Sequence, residues 1–347
     1  MNIPGYDIYD TLKKERRPIV IYGMGNGADK IINELQRRSI KISGLCASDD
    51  FVRGQTFRGF TVGRLSDAIQ EDCVLLCAFG TQLPEVMSRI FDIADNHTLL
   101  APDVSVYGTN IWSREFFDEN RREIENAYSL LADDISRYTF EGALSFKLTG
   151  RLDFLRNIYS DKMDALTTIL HPGENESYLD LGAYRGDTID EFLSLTGGRY
   201  GHITALEPDR RTFAKLKAHV AGMKNVKLFR MGIWSEDMNL AFSSSLGRGS
   251  SVTENGEELA VTKIDTLYSV RHLSYCKMDV EGAERQALIG GINTLRRDKP
   301  KLNIAAYHRS EDIFSLPLLL HDIVPGYKIY MRQHPYIPAW DLNIYAV

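Results

Sequence analysis

The sequence predicts an α/β protein made of two Rossmann-like units joined by helices, and three observations carry that expectation. At 347 residues the chain is long enough for two domains at roughly 150 residues each. The apolar strand at 18–22 runs into Gly23-Met24-Gly25-Asn26-Gly27-Ala28, and the strand at 177–181 runs into Gly182-Ala183-Tyr184-Arg185-Gly186-Asp187. Each pair of strand and glycine turn opens its own alternation of strands and helices, the pattern of parallel sheets covered by helices on both faces.

The first unit continues with a helix at 29–38, a strand at 41–46, a polar loop at 48–59, a short helix near 65–70, a strand at 73–79, a helix at 84–92 and a strand at 98–100. Pro102 and Gly108 mark its end, which sets a first domain at 1–110. Residues 111–172 hold few breakers and many charges and read as two or three connecting helices, interrupted at Gly142 and Gly150. The loop His171-Pro172-Gly173-Glu174-Asn175 leads into a second α/β domain at 173–347. Its expected elements are helices at 188–195, 211–220, 283–288 and 312–323, and strands at 202–206, 226–229, 240–242, 259–262, 275–278, 302–306, 327–331 and 342–346. A Ser- and Gly-rich stretch, 243–256, reads as a mobile loop, and the short connections at the C-terminus suggest an antiparallel hairpin at one sheet edge.

Composition narrows the function. Hydrophobic residues at 44% and charged residues at 25% are ordinary globular values. Lys+Arg 41 against Asp+Glu 47 leaves −6, so no bulk field draws the chain to nucleic acid. No apolar run approaches the ~18 residues of a membrane span, and the opening segment has no apolar signal core, so a cytoplasmic protein is expected. Cys46, Cys73, Cys77 and Cys276 are expected as free buried thiols; Cys73 and Cys77 would share a strand face about 13 Å apart, too far for a disulfide.

The candidate site lies at the second glycine turn. Ligands of an open parallel sheet bind beyond the carboxyl ends of its strands, and Gly182 and Gly186 would allow both a sharp turn and close approach of a ligand. Asp180 and Asp187 bracket these glycines. Paired carboxylates repel a pyrophosphate but suit an ammonium or sulfonium group. Glu207, followed by Pro208, lies 25 residues after Gly182, where an acid accepts hydrogen bonds from ribose hydroxyls. Together these acids point to S-adenosylmethionine rather than a dinucleotide. Asp279, in Lys277-Met278-Asp279-Val280-Glu281-Gly282, would face the same crevice and hold or deprotonate an acceptor hydroxyl, and His308 could reach it as a base. A divalent ion on Asp279, Glu281 and His308 would suit hard oxygen ligands, but no dedicated loop pattern is present and a metal-free site is expected.

LDLGAYRGDT, ALEPD, KMDVEGAE and the closing LNIYAV resemble the FkbM family of S-adenosylmethionine-dependent methyltransferases over about residues 151–347. The resemblance implies a class I methyltransferase fold, a seven-stranded sheet whose last strand is antiparallel. It also implies O-methylation of a sugar, glycan or related small molecule. Carried over by motif, Asp180, Gly182, Gly186 and Asp187 would contact the methionine part of the cofactor, Glu207 the ribose, and Gly232 and Ile233 the adenine, with Tyr184 and Pro208 as further cofactor contacts. Many family members place a glutamate at the end of the fifth strand, where this chain reads Ala305-Ala306-Tyr307-His308.

The first unit leaves alternatives open. Gly23-x-Gly25-x-x-Ala28, with Asp49 26 residues on, fits a dinucleotide pattern formally. A ligand-free scaffold for packing or dimer contact, a nucleotide-sugar-binding module and an NAD(P)-dependent oxidoreductase all remain compatible with it. A non-catalytic module that keeps only the cofactor-binding shape is also possible. A homo-oligomer is compatible with the sequence. An RNA acceptor is disfavoured by the net charge.

Overall fold

Strand β1 (Ile19–Tyr22) is four consecutive apolar residues, all buried, and its alternate side chains enter two different cores. It is the centre of the first sheet in a computed structural model that describes residues 1–108, 110–243, 251–252 and 257–347. The other strands of that sheet are β2 (Gly44–Ala47), β3 (Thr56–Phe57), β4 (Phe60–Arg64), β5 (Val74–Cys77) and β6 (Leu99–Leu100), in the order β3-β4-β2-β1-β5-β6. All neighbours pair in parallel except β3 with β4. Within the expected polar loop at 48–59 the chain forms a tight hairpin. Arg58 and Gly59 both take positive φ between β3 and β4, the twist-matched turn that joins two strands most directly.

Between the sheets lie the helices Arg114–Glu119, Arg121–Ser129, Asp134–Thr149, Leu152–Arg156 and Lys162–Ala165, more than the two or three expected. Gly142 does not interrupt a helix. It lies inside Asp134–Thr149, where a Cβ would come within 2.3 Å of Ile158 Cγ2, so its small size serves helix packing. A helix at the N-terminus, Ile8–Lys14, carries no signal strong enough to have been read from the sequence; it is held by Asp7, whose carboxylate accepts from Asp10 N.

The second unit contains β7 (Ser177–Leu181), β8 (His202–Leu206), β9 (Val226–Phe229), β10 (Gly232–Ile233), β11 (Met238–Ser243), β12 (Ser251–Val252), β13 (Glu257–Thr262), β14 (Tyr275–Met278), β15 (Lys301–Ala305), β16 (Ile329–Gln333) and β17 (Leu342–Ala346). Seven of these form one sheet in the order β16-β17-β15-β14-β7-β8-β9, with β17 antiparallel to both neighbours. This is the sheet that the family resemblance implied. The four others form a separate small sheet, β10-β13-β11-β12. Most of the expected loop at 243–256 lies outside the described residues. Two helices absent from the sequence reading, Ile264–Leu267 and Ile292–Asp298, complete this unit.

Strand order reverses at β7, which has β14 on one side and β8 on the other, so the crevice of this sheet opens beyond their carboxyl ends. The largest apolar cluster runs from Val20 and Tyr22 of β1 through the connecting helices to Leu179 and Leu181 of β7, so the two sheets share one continuous core. The four cysteines are free and buried, and burial pushes the Cys46 and Cys77 thiols up to about 12.

Candidate active site

A cavity of about 310 Å³ opens at the carboxyl ends of β7, β8 and β14 and reaches β10. The turn after β7 forms its floor. Gly182 has φ +80°, and a Cβ there would lie 1.9 Å from the Asp279 carbonyl oxygen; Gly186 has φ +99°, and its Cβ would meet His219 Cδ2 at 2.6 Å. The room that each glycine leaves is therefore taken by protein, whereas the sequence suggested a ligand. Tyr184 and Glu281, in the loops on either side of Asp279 and Gly182, hold positive φ without being glycine, and such strain gathers at functional sites.

Of the expected cofactor residues, Gly182, Tyr184, Asp187, Glu207, Pro208, Gly232 and Ile233 line the cavity. Asp180 and Gly186 lie behind the lining. Asp180 is fully buried within β7, accepts from the Thr188 hydroxyl at 2.5 Å, and faces Lys277 Nζ at 3.8 Å. Burial pushes its carboxyl up, against the pull of the Lys277 ammonium. Glu207 is 7% exposed, and its two oxygens take separate backbone amides, Tyr184 N at 3.0 Å and Asp209 N at 2.8 Å. These bonds lock the carboxylate in place. Burial nonetheless raises it to about 7.

The other end of the cavity is built around Asp279, at the exit of β14. Its carboxylate is 38% accessible and lies 3.9 Å from Lys277 Nζ and 3.4 Å from His308 Nε2, and it accepts from the Tyr307 hydroxyl at 3.4 Å. Burial works against the charge, but Lys277, His308 and Lys162 together hold the carboxyl below its ordinary value. His308 does not line the cavity. It is 1% exposed and sits among three carboxylates: Glu284 at 2.8 Å from Nδ1, and Asp279 and Glu281 at 3.4 and 3.6 Å from Nε2. Burial disfavours its charge, yet Glu284 above all raises it to about 10, which keeps the imidazole protonated. Asp279, Glu284 and His308 also bring ligand atoms within 4.8 Å of one another, the spacing of a metal cluster. Glu281, the third member of the ion site weighed from sequence, is not in that group.

Several lining residues were not found from sequence. Lys277 opens the stretch 277–282, in which the sequence points only to Asp279 and Glu281. It donates to Gly182 O at 3.1 Å and lies between Asp180 and Asp279; a lysine in an otherwise apolar strand end was the available signal. Asn303 on β15 is 4% exposed, and its side-chain oxygen is buried without a hydrogen-bond partner. Gln82 after β5, Tyr107 near the end of the first unit, and Tyr336 and Trp340 between β16 and β17 also line the cavity. They arrive from segments distant in sequence, and no local pattern announces them.

At the first glycine turn, a Cβ on Gly23 would meet Phe79 Cδ1 at 2.7 Å and one on Gly27 would meet Ala78 O at 2.3 Å. Asp49, the acid matched to the dinucleotide pattern, accepts from Ser66 N at 3.1 Å next to the helix Leu65–Ala68.

The family model for the methyltransferase FkbM domain matches residues 180–333. Among solved structures, the chain is similar to methyltransferase FkbM from Methylobacillus flagellatus KT at 20% identity, with 99% of this chain and 95% of that chain covered and a TM-score of 0.75. It is also similar to fibrillarin from Aeropyrum pernix in complex with S-adenosyl-L-methionine (16% identity, 53% and 71% covered, TM-score 0.36) and to an rRNA methylase from Streptococcus thermophilus (13%, 53% and 92%, 0.34). No curated protein sequence matches the chain.

Proposed function

We propose, from the match of residues 180–333 to the methyltransferase FkbM domain, that this methyltransferase moves a methyl group from S-adenosylmethionine to a hydroxyl of a sugar, glycan or related small molecule. One observation carries the reading: a single cavity has two chemically different ends. At the end of β8 Glu207 is held by two backbone amides, with Asp209 beside it; at the end of β14 Asp279 accepts from the Tyr307 hydroxyl between Lys277 and His308, and tyrosine, tryptophan and amide side chains line the same cavity.

The residues present fit the cofactor. Each Glu207 oxygen has an acceptor lone pair left for a ribose hydroxyl. Gly232 and Ile233 offer a narrow wall for a flat base, and Asp187 supplies negative charge toward an ammonium. When bound, the cofactor supplies an electrophilic methyl carbon on a positively charged sulfur. Asp279 accepts a hydrogen bond from the acceptor hydroxyl, orients its lone pair, and takes the proton as the oxygen loses it. A carboxylate held below its ordinary pKa is a weak base, so orientation is the larger part of its role. His308, protonated and buried, acts as a positioning residue that fixes Asp279 from behind. Residues 1–110, 111–172 and 173–347 then serve as a Rossmann-like unit, a helical connector and the methyltransferase domain.

The test is incubation of the full chain with a labelled methyl donor and a panel of nucleotide sugars, methyl glycosides and cell-envelope extracts. Label in a base-stable ether of a sugar supports the reading. Label only on nitrogen or on RNA, or no binding of S-adenosylhomocysteine, overturns it.

A further inference from the structure

The first unit reaches the catalytic cavity through two short segments. Thr81 and Ile337 exchange two backbone hydrogen bonds, Thr81 N to Ile337 O at 2.7 Å and Ile337 N to Thr81 O at 2.9 Å. This bridge fastens the exit of β5 to the loop between β16 and β17. A Cβ on Gly80 would lie 2.4 Å from Trp340 Cζ3, so the indole rests against bare backbone of the first unit. Gln82 follows on the cavity wall. The second segment, near the end of the first unit, also approaches the cavity. Lys30 donates to Ser105 O at 2.6 Å, Tyr107 N donates to His308 O at 2.8 Å, and the Tyr107 ring lies under the Arg309 guanidinium at 4.2 Å.

We propose that these segments make the acceptor end a composite site for an uncharged pyranose ring, with the first unit as the wall that selects it; the proposal rests on the methyl-transfer reading above. Two features support this class. The side chains of Tyr307, Tyr336 and Trp340, with Tyr107 under the Arg309 guanidinium, line the cavity, and the C–H face of a pyranose is the apolar surface that aromatic rings cover. Around them, Gln82, Asp279, Asn303 and Asp341 supply the amide and carboxylate groups that hydroxyls pair with.

The cations decide against a phosphorylated sugar. Lys162 pairs with Glu191 at 2.8 Å, Lys277 lies between Asp180 and Asp279, and Arg309 donates from Nε to Gly282 O at 2.8 Å while its guanidinium covers Tyr107. A phosphate placed here would sit among the carboxylates of Asp279, Glu281 and Asp341 and would have to share the Lys162 and Lys277 ammonium groups with carboxylates they already face. A neutral ring needs no such sharing.

Gly80 makes the proposal testable without removing any lining side chain. Its φ is not in the left-handed region, so Gly80→Ala is conformationally permitted and acts by displacing the Trp340 ring. The full chain, saturated with S-adenosylhomocysteine, is probed by ligand-observed saturation-transfer NMR. The probes are methyl α-glycosides of glucose, galactose, mannose and rhamnose, each set against the matching glycosyl 1-phosphate.

Saturation transfer to at least one neutral glycoside is expected. Its Kd should rise about fivefold or more in Gly80→Ala and in Gln82→Ala, the size of one lost hydrogen bond or stacking contact. Affinity for S-adenosylhomocysteine, measured by calorimetry, should stay unchanged in both, which shows that the fold and the cofactor end are intact. Transfer confined to the glycosyl phosphates overturns the proposal, as does glycoside binding untouched by both substitutions, or no transfer to any glycoside. If the wild-type chain fails to bind S-adenosylhomocysteine, the methyl-transfer reading has failed as well.

Discussion

Glu207 gives the sharpest test of the cofactor end. Its carboxyl is pushed up to about 7 because it is 7% exposed, while the backbone amides of Tyr184 and Asp209 favour the ionised form. A ribose diol donates hydrogen bonds, so it binds the ionised carboxylate. With a pKa of about 7, roughly one tenth of the chains are ionised at pH 6 and roughly nine tenths at pH 8, so the Kd for S-adenosylhomocysteine should tighten about tenfold over that interval. Glu207→Gln cannot ionise. Its amide also offers one oxygen where two backbone donors need acceptors, so it should weaken binding at pH 8 by ~1–3 kcal/mol. Titration calorimetry of both proteins at half-unit steps from pH 6 to 8 makes the test, and the variant removes any contribution from titration of the ligand's own amino group. An identical pH profile in the two proteins would refute the assignment of Glu207 to the ribose and the ionisation argument together.

The catalytic end yields three further expectations. Asp279→Asn should leave S-adenosylhomocysteine affinity intact and lower kcat by roughly 10²- to 10⁴-fold, the usual range for a group handling a proton; retained turnover of a labelled acceptor would leave Asp279 a structural role. Burial disfavours the charge on His308, but Glu284 chiefly raises it from 6.5 to about 10, so its stabilising contribution is fully present below about 6.5 and is lost as pH rises through about 10. Urea unfolding at pH 7 and pH 10.5 should therefore show a steep loss in the wild-type chain and a shallow one in His308→Gln, and equal losses would contradict the ion cluster. Exhaustive chelation should leave turnover unchanged; a loss restored by Mg²⁺ would instead place an ion among Asp279, Glu284 and His308.

What the sequence determined by itself follows from short-range rules. Short, almost wholly buried runs at β1 and β7, glycines where the backbone must take positive φ, and acids just past strand ends fixed the two α/β units and brought Gly182, Asp187, Glu207 and Asp279 to one crevice. Each of those signals lies within a few residues of the feature it reports. The tertiary structure decided the rest, because the rest depends on segments that meet across long stretches of chain. Asp180 lies under the cavity because β7 is covered on both faces. His308 is a buried cation because Glu284, 24 positions earlier in sequence, packs against its ring. Gln82 and Trp340 share a wall because Thr81 pairs with Ile337 over a separation that no local periodicity encodes. Strand ends announce a site from sequence, whereas the partners that set its charge and close its acceptor end are fixed only when the two sheets pack on their common core.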